Sequence, residues 1–443
     1  MNPFRDLYLN NKLFQALGIV LLLLLLGYTF RIAFIIGQIS LYVVIGILAM
    51  DIAAIFRSKK PVHCVRFVPV KLSNGDPNEI RIYLENRYPF RIRLKVIDEL
   101  PYQFQKRDTV FILEINPGKN KILTYSLRPV KRGEYHFGAV NVYVSSPLGF
   151  ISRRFRFMED VIVPVYPSFL QINKYEIMAI SKRLSELGLK KMRKLGHHLE
   201  FEQIKEYVQG DDHRTINWKA TARKGDLMVN TYQDERSQQV YCLIDKGRTM
   251  RLPFEGMTLL DYAINASLVL SNIAIKKDDK AGIITFHQKI SNILPTSKRK
   301  HQMSMILKTL YNQKTAFKES DFSRLFTTIK SKINHRSLLL LFTNFETLSG
   351  MKRQLNYLRK LATSHVLVVI FFENTTLQEM IETPAKNLRS VYHKTIAEKY
   401  MYEKKMIAKT LNNYGIYTIL TTPQNLNVAT INKYLEFKSR GVI

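Results

Sequence analysis

Hydrophobic positions run almost unbroken across residues 13–56, interrupted by Arg31, Gln38, Ser40 and Asp51. As one helix this stretch would reach about 66 Å at 1.5 Å per residue, roughly twice the hydrocarbon thickness of a bilayer. It reads as an N-terminal two-helix transmembrane hairpin, with passes near 13–30 and 32–50 and with Arg31 at the turn beside Tyr28. Arg5 and Lys12 precede the hairpin, and Arg57, Lys59 and Lys60 follow it. The positive-inside rule puts both termini, and the bulk of the chain, on the cytoplasmic side of an inner (cytoplasmic) membrane. A cleaved signal peptide has a shorter apolar core of about 7 to 15 residues and a small-residue cleavage site. No such site follows Leu26.

Beyond the hairpin, the period changes twice. Over 61–167 short alternating runs (80–84, 110–115, 121–127, 140–144) are separated by turn clusters at Asn74-Gly75-Asp76-Pro77 and Asn116-Pro117-Gly118. Such spacing predicts an all-β, sandwich-like domain. Residues 168–237 begin as a basic connector rich in lysine and arginine. Over 238–443, nearly all-apolar runs (240–245, 281–286, 337–343, 366–372, 416–420) alternate with helical patterns (259–276, 301–311, 322–333, 351–361, about 391–412). Apolar strands alternating with helices predict a doubly wound, mostly parallel α/β sheet, which binds ligands at the carboxyl ends of its strands.

Composition sharpens this picture by exclusion. The 443 residues are 46% hydrophobic and 23% charged, ordinary globular values that exclude a largely disordered chain. The two cysteines, Cys64 and Cys242, form no ligand-like spacing, so neither a disulfide framework nor a structural zinc site is expected. The net charge of +31 raises nucleic-acid binding, with Lys298-Arg299-Lys300 as its local focus. For a tethered protein the anionic leaflet, or an acidic protein partner, accounts for that charge more economically, and no nucleic acid is expected.

The first strand of the α/β region ends in Asp245-Lys246-Gly247-Arg248-Thr249, and here the chain resembles a von Willebrand A domain, whose metal-ion-dependent adhesion site opens with Asp-x-Ser-x-Ser. A hard divalent cation needs carboxylate and hydroxyl oxygens on one tight loop, with more oxygens from its neighbours. Asp245 and Thr249 supply two of the three groups, Gly247 stands where the family has its first serine, and Ser320 and Asn344 mark the later loops. The resemblance thus implies a degenerate site at Asp245, Thr249, Ser320 and Asn344. Lys246 and Arg248 add repulsion against Mg²⁺, and no cofactor is expected.

A longer signature lies upstream. Residues 200–223 follow the pattern E-F-x-x-[IL]-[RK]-x-Y-x-x-G-D-D-x-R-x-I-x-W-K-x-x-A-R almost position by position. This segment resembles the bacterial domain-of-unknown-function-58 family. Arg132-Gly133-Glu134-Tyr135 and Ser146-Pro147-Leu148-Gly149-Phe150 are similar to further family segments, with Ser146 in place of an aspartate. The resemblance implies a membrane-anchored protein with a β domain and a von Willebrand A-like domain, linked to MoxR-type AAA+ ATPases.

In physical terms, the signature groups Tyr207, Gly210, Asp211, Asp212, Arg214, Lys219 and Arg223 around Trp218, the only tryptophan. A helix over 213–223 would align Arg214, Trp218 and Ala222, capped by Asp211 or Asp212, as a latch packed against the sheet. The competing reading is a metal-dependent hydrolase or nuclease using His197, His198, Glu200, Asp211, Asp212 and His213. No H-E-x-x-H, P-loop or G-x-S-x-G motif occurs in the chain. The expectation is therefore a non-enzymatic adapter or scaffold that meets membrane lipids and a protein partner.

Overall fold

The computed structural model describes residues 6–57, 61–106, 109–158, 160–170, 199–209, 211, 213–234, 237–299, 301–384 and 387–442. The basic flanks Arg5, Lys59 and Lys60, connector residues 171–198, and Gly210 and Asp212 of the signature lie outside the described residues. The chain divides into two compact units, Met1–Tyr166 and Pro167–Ile443. Together they give a mixed α/β architecture with several sheets, one of them mostly parallel.

The first unit opens with strand β1 (Leu7–Leu9), then helices α1 (Asn11–Leu26) and α2 (Arg31–Phe56). Helix α2, 26 residues and about 39 Å long, is apolar and long enough to cross a membrane, while α1 is a shorter apolar helix of 16 residues. The helices differ from the expected passes. The first ends at Leu26 instead of reaching residue 30, and the second runs on to Phe56 because its acidic residue is satisfied where it stands. Asp51 is buried and accepts hydrogen bonds from the Ser146 hydroxyl (2.6 Å) and the backbone N–H groups of Phe150 (3.2 Å) and Leu148 (3.4 Å). The backbone oxygen of Ile55 in the last turn accepts from the Tyr88 hydroxyl at 2.9 Å and from Arg153 at 3.3 Å. Such carbonyls have no partner within the helix itself.

The remaining strands of this unit are β2 (Val62–Phe67), β3 (Leu72–Ser73), β4 (Asn78–Asn86), β5 (Ile92–Asp98), β6 (Val110–Ile115), β7 (Asn120–Leu127), β8 (Gly133–Phe137), β9 (Val140–Ser145), β10 (Ile151–Phe157) and β11 (Val161–Tyr166). They form sheets in the orders β1-β10-β9-β5-β6, β2-β4-β7 and β3-β11-β8. Alternation decides which face is inside: Ile82 and Leu84 of β4 pack with Leu94 and Val96 of β5 and Val142 and Val144 of β9 in one core. Within it Arg66 Nη1 meets Asp98 Oδ1 at 2.5 Å, both side chains fully buried, and the Tyr125 hydroxyl donates to the other carboxylate oxygen.

The second unit contains a hairpin, β12 (Leu199–Glu206) with β13 (Met228–Asp234), interrupted by helix α3 (Trp218–Lys224). The chain continues through β14 (Gln239–Asp245), the short pair β15 (Pro253–Phe254) and β16 (Met257–Thr258), α4 (Leu259–Lys276), β17 (Lys280–Phe286) and β18 (Ile290–Ser297). Then come α5 (Gln302–Tyr311), α6 (Phe322–Lys332), β19 (Leu338–Phe342), α7 (Leu348–Ser364), β20 (Val366–Phe372), α8 (Thr375–Glu382), α9 (Leu388–Asn413), β21 (Tyr417–Thr421) and α10 (Leu426–Arg440). The large sheet has the order β18-β17-β14-β19-β20-β21; β18 alone runs antiparallel, against β17. Alternate residues of β14 feed two cores. Val240, Cys242 and Ile244 face α4 and α10, while Tyr241 and Leu243 face α6, α7 and α9. Burial on both faces explains why these strands read as continuous apolar runs. The strand order reverses at β14, which places a crevice at its carboxyl end beside β19.

Candidate functional site

Strand β14 ends at Asp245, and three loops converge on its buried carboxylate. One oxygen accepts from the backbone N–H of Gly247 at 2.7 Å and from the Ser320 hydroxyl; the other accepts from the Thr343 hydroxyl at 2.7 Å. Burial pushes the carboxyl's pKa up, against the pull of these three hydrogen bonds. Gly247 is what lets Ser320 close in, because a Cβ there would lie 2.2 Å from the serine oxygen. The loop after β14, the loop before α6 and the loop after β19 thus share one acceptor.

The next layer is cationic. Asn344 Nδ2 donates to the backbone oxygen of Thr249 at 3.4 Å, and Asn344 Oδ1 accepts from the Lys404 ammonium of α9. Burial lowers the Lys404 pKa to about 8, with Glu346 pulling it back up. Lys246, only 8% exposed, donates to Gln313 Oε1 at 3.0 Å, and burial lowers its pKa as well.

Two cavities open here. A polar one of about 190 Å³ lies over Asp245, Thr249, Ser320 and Thr343. An apolar one of about 460 Å³ is walled by Phe254, Leu377, Met380, Ile396 and Tyr400, with Lys404 among its polar groups. They share Asn344 and Glu346. The expected ligand set fits a divalent cation poorly: of Asp245, Thr249, Ser320 and Asn344 only Asp245 carries a carboxylate, which already accepts three hydrogen bonds, and the Asn344 oxygen faces an ammonium. Among the described residues, no group of three or more His, Cys, Asp or Glu side chains is placed to hold a metal.

The signature residues lie elsewhere in this unit, on the β12–β13 hairpin. The Tyr207 backbone N–H donates to the oxygen of Leu227 at 2.8 Å. Asp211 closes its own turn, accepting from Lys205 Nζ at 3.0 Å and from the Val208 backbone N–H at 3.1 Å; these bonds hold its carboxyl below the usual range. The helix expected over 213–223 is broken. Residues His213–Thr215 form one 3-10 turn, Ile216 pairs across to Val229, and α3 starts only at Trp218. Its cap is Asn217, whose Oδ1 accepts from the Ala220 backbone N–H at 3.0 Å, and not Asp211.

Arg214 consequently lies off the helix, and the Arg214–Trp218–Ala222 face does not form. Trp218 is 70% exposed, and among the described residues it enters no cation–π pair. The latch against the sheet is therefore corrected: the ring points to solvent together with exposed Lys219, Arg223 and Leu227.

Sequence reasoning singled out Asp245, Thr249, Ser320 and Asn344 but missed Lys404 and the Lys246–Gln313 contact. Thr343 was read only as the last residue of the strand 337–343. Nothing in the local pattern around Lys404 marks it, because its partner lies 60 residues earlier in the chain.

The chain thus carries an α/β unit with an exposed signature hairpin and a polar cluster at the carboxyl edge of its sheet. Residues 203–395, which include most of both features, match the family described as "Protein of unknown function DUF58". One curated relative is the "Uncharacterized protein YeaD" of Bacillus subtilis (strain 168), 28% identical over 184 residues. That match spans 40% of this chain and 45% of the relative's length. Among solved structures, the mussel-byssus proximal thread matrix protein 1 is 13% identical at a TM-score of 0.28, covering 44% of this chain and 46% of that one. The CARDB domain of PF1109 from Pyrococcus furiosus is 14% identical at a TM-score of 0.17, covering 24% and 94%. At such scores neither likeness adds to the fold described above.

Proposed function

We propose that this chain is a membrane-anchored, non-enzymatic adapter that presents a von Willebrand A-like domain to a protein partner, a MoxR-type AAA+ ATPase. The observation that carries the reading is the exposure of the signature: Trp218 stands out at the surface, and Lys219, Arg223, Val208 and Leu227 of the same hairpin are exposed as well. An exposed tryptophan among cations and aliphatic groups is the composition of an interaction hot spot. The mostly parallel, doubly wound sheet supports the von Willebrand A-like reading, and the self-satisfied Asp245 cluster supports a degenerate adhesion site without a resident ion. Helix α2 supports the anchor, the shorter apolar α1 before it supports a second pass, and the basic residues Lys12 and Arg57 at their outer ends support cytoplasmic termini.

The test is cross-linking in native membranes followed by affinity purification, with Trp218→Ala as control. Recovery of an AAA+ ATPase by the native chain but not by the variant is expected. Recovery of no ATPase by either would sink the proposal.

A further inference from the structure

Among the described residues, a second set of groups at the carboxyl edge of the sheet remains without an ion-pair partner. Backbone hydrogen bonds stitch three loops together there: the Ala316 N–H to the oxygen of Lys246 (2.7 Å), the Arg248 N–H to Lys318 (3.1 Å) and the Asp321 N–H to His287 (3.0 Å). This stitching gathers Lys246, Lys289 and Lys318 around His287, whose pKa is lowered by burial and then by those three lysines. The nearby acids are engaged elsewhere. Glu319 faces Arg248 at 3.9 Å and Asp321 faces Arg324 at 3.5 Å, while no ion pair among the described residues includes Lys246, Lys289 or Lys318.

Lys246, 8% exposed as a residue, gives its ammonium a neutral amide as acceptor, which offsets only part of the desolvation cost. Beside Lys318, Phe317 is 72% exposed, with the Arg251 guanidinium 4.2 Å from its ring centre. Duplex phosphates are contacted by cations and hydrogen-bond donors and make no use of an exposed ring, whereas an aromatic stacked by arginine beside the lysines gives an apolar side chain of a protein segment a place to anchor.

We propose that these loops are a receptor for an acidic segment of a partner protein, whose carboxylates seat against Lys289, Lys318 and His287 above the buried ammonium of Lys246, with an apolar side chain on Phe317. This rests on the adapter reading and names the chemistry of the partner. The ligand's negative charge supplies what the fold leaves out, so binding offsets a cost the free protein carries.

The experiment titrates the full-length chain in nanodiscs with a fluorescein-labelled peptide of glutamates flanking one leucine, read by anisotropy. Lys289→Glu/Lys318→Glu is expected to weaken binding about tenfold or more. Lys330→Glu/Lys332→Glu makes the same change of charge at the far end of α6, about 16 Å along the helix, and is expected to weaken it less than about twofold.

In the titration, three results overturn the proposal: no binding by the native chain, equal weakening by the two pairs, or displacement of the peptide by duplex DNA at equal charge. The membrane cross-link separates this failure from that of the adapter reading. A cross-link lost in Trp218→Ala but kept in Lys289→Glu/Lys318→Glu leaves the adapter standing and overturns the receptor. Peptide binding that survives without any cross-link does the reverse.

Discussion

Both units bury a carboxylate at the end of a β-strand, but they treat it differently. In the β unit, Asp98 at the end of β5 is paired with the guanidinium of Arg66 and the Tyr125 hydroxyl, and Arg66 also donates to the oxygen of Gly138 at 3.0 Å. In the α/β unit, Asp245 at the end of β14 receives two hydroxyls and one backbone N–H, while the neighbouring ammoniums of Lys246 and Lys404 bind the neutral amides of Gln313 and Asn344. Charge is neutralised in the first case and kept apart in the second. A paired buried charge stiffens a fold, whereas separated buried charges leave free energy available to a ligand.

Removing the cation from the neutralised pair should have the largest effect. Arg66→Met leaves Asp98 buried and unpaired, and is expected to cost about 3–5 kcal/mol in chemical denaturation. A cost below about 1 kcal/mol would remove the contrast between the units.

In the α/β unit the sign reverses. The folded Lys404 pKa of about 8 lies below the ordinary 10.5, so the unfolded chain binds the extra proton between those values and stability rises with pH across that window. Lys404→Met should abolish that slope and raise stability at pH 7 by about 2 kcal/mol. A pH profile in urea reads both effects, and an unchanged slope would contradict the separated-charge account.

A smaller effect is expected of Gly247→Ala, whose added methyl meets the Ser320 oxygen: about 1–2 kcal/mol, partly recovered in Gly247→Ala/Ser320→Ala. Without that recovery, the tight approach of Ser320 is not what requires glycine. Smallest of all, Trp218→Ala should shift stability by less than about 0.5 kcal/mol, since its ring lies in solvent. A large loss would mean that the tryptophan packs after all.

How far the sequence was legible follows the same physics. Strands buried on both faces, such as β14, β17 and β20, and amphipathic helices such as α5 and α6 lie within a residue or so of their expected bounds, because their pattern comes from the faces each must bury. The antiparallel edge strand β18 and the C-terminal helix α10 were not anticipated. Edge strands are half exposed, and α10 is interrupted on its inner side by buried polar groups such as Thr430 and Asn427. Loop chemistry was legible where it is local, as at Asp245, whereas Gly247 was read as a missing ligand and not as the gap that admits Ser320. Trp218 was misjudged because whether a ring meets a wall depends on where the helix begins, and Asn217 rather than an aspartate decides that.

The three bonds that Asp51 accepts from Ser146, Leu148 and Phe150 carry one more implication. They grip α2 from one side near its exit, so the rod has no free swivel about its own axis. In a bilayer, torque or tilt arriving from the lipid would pass directly into the turn between β9 and β10, and the spanning segment would work as a lever on the β unit rather than as a loose tether.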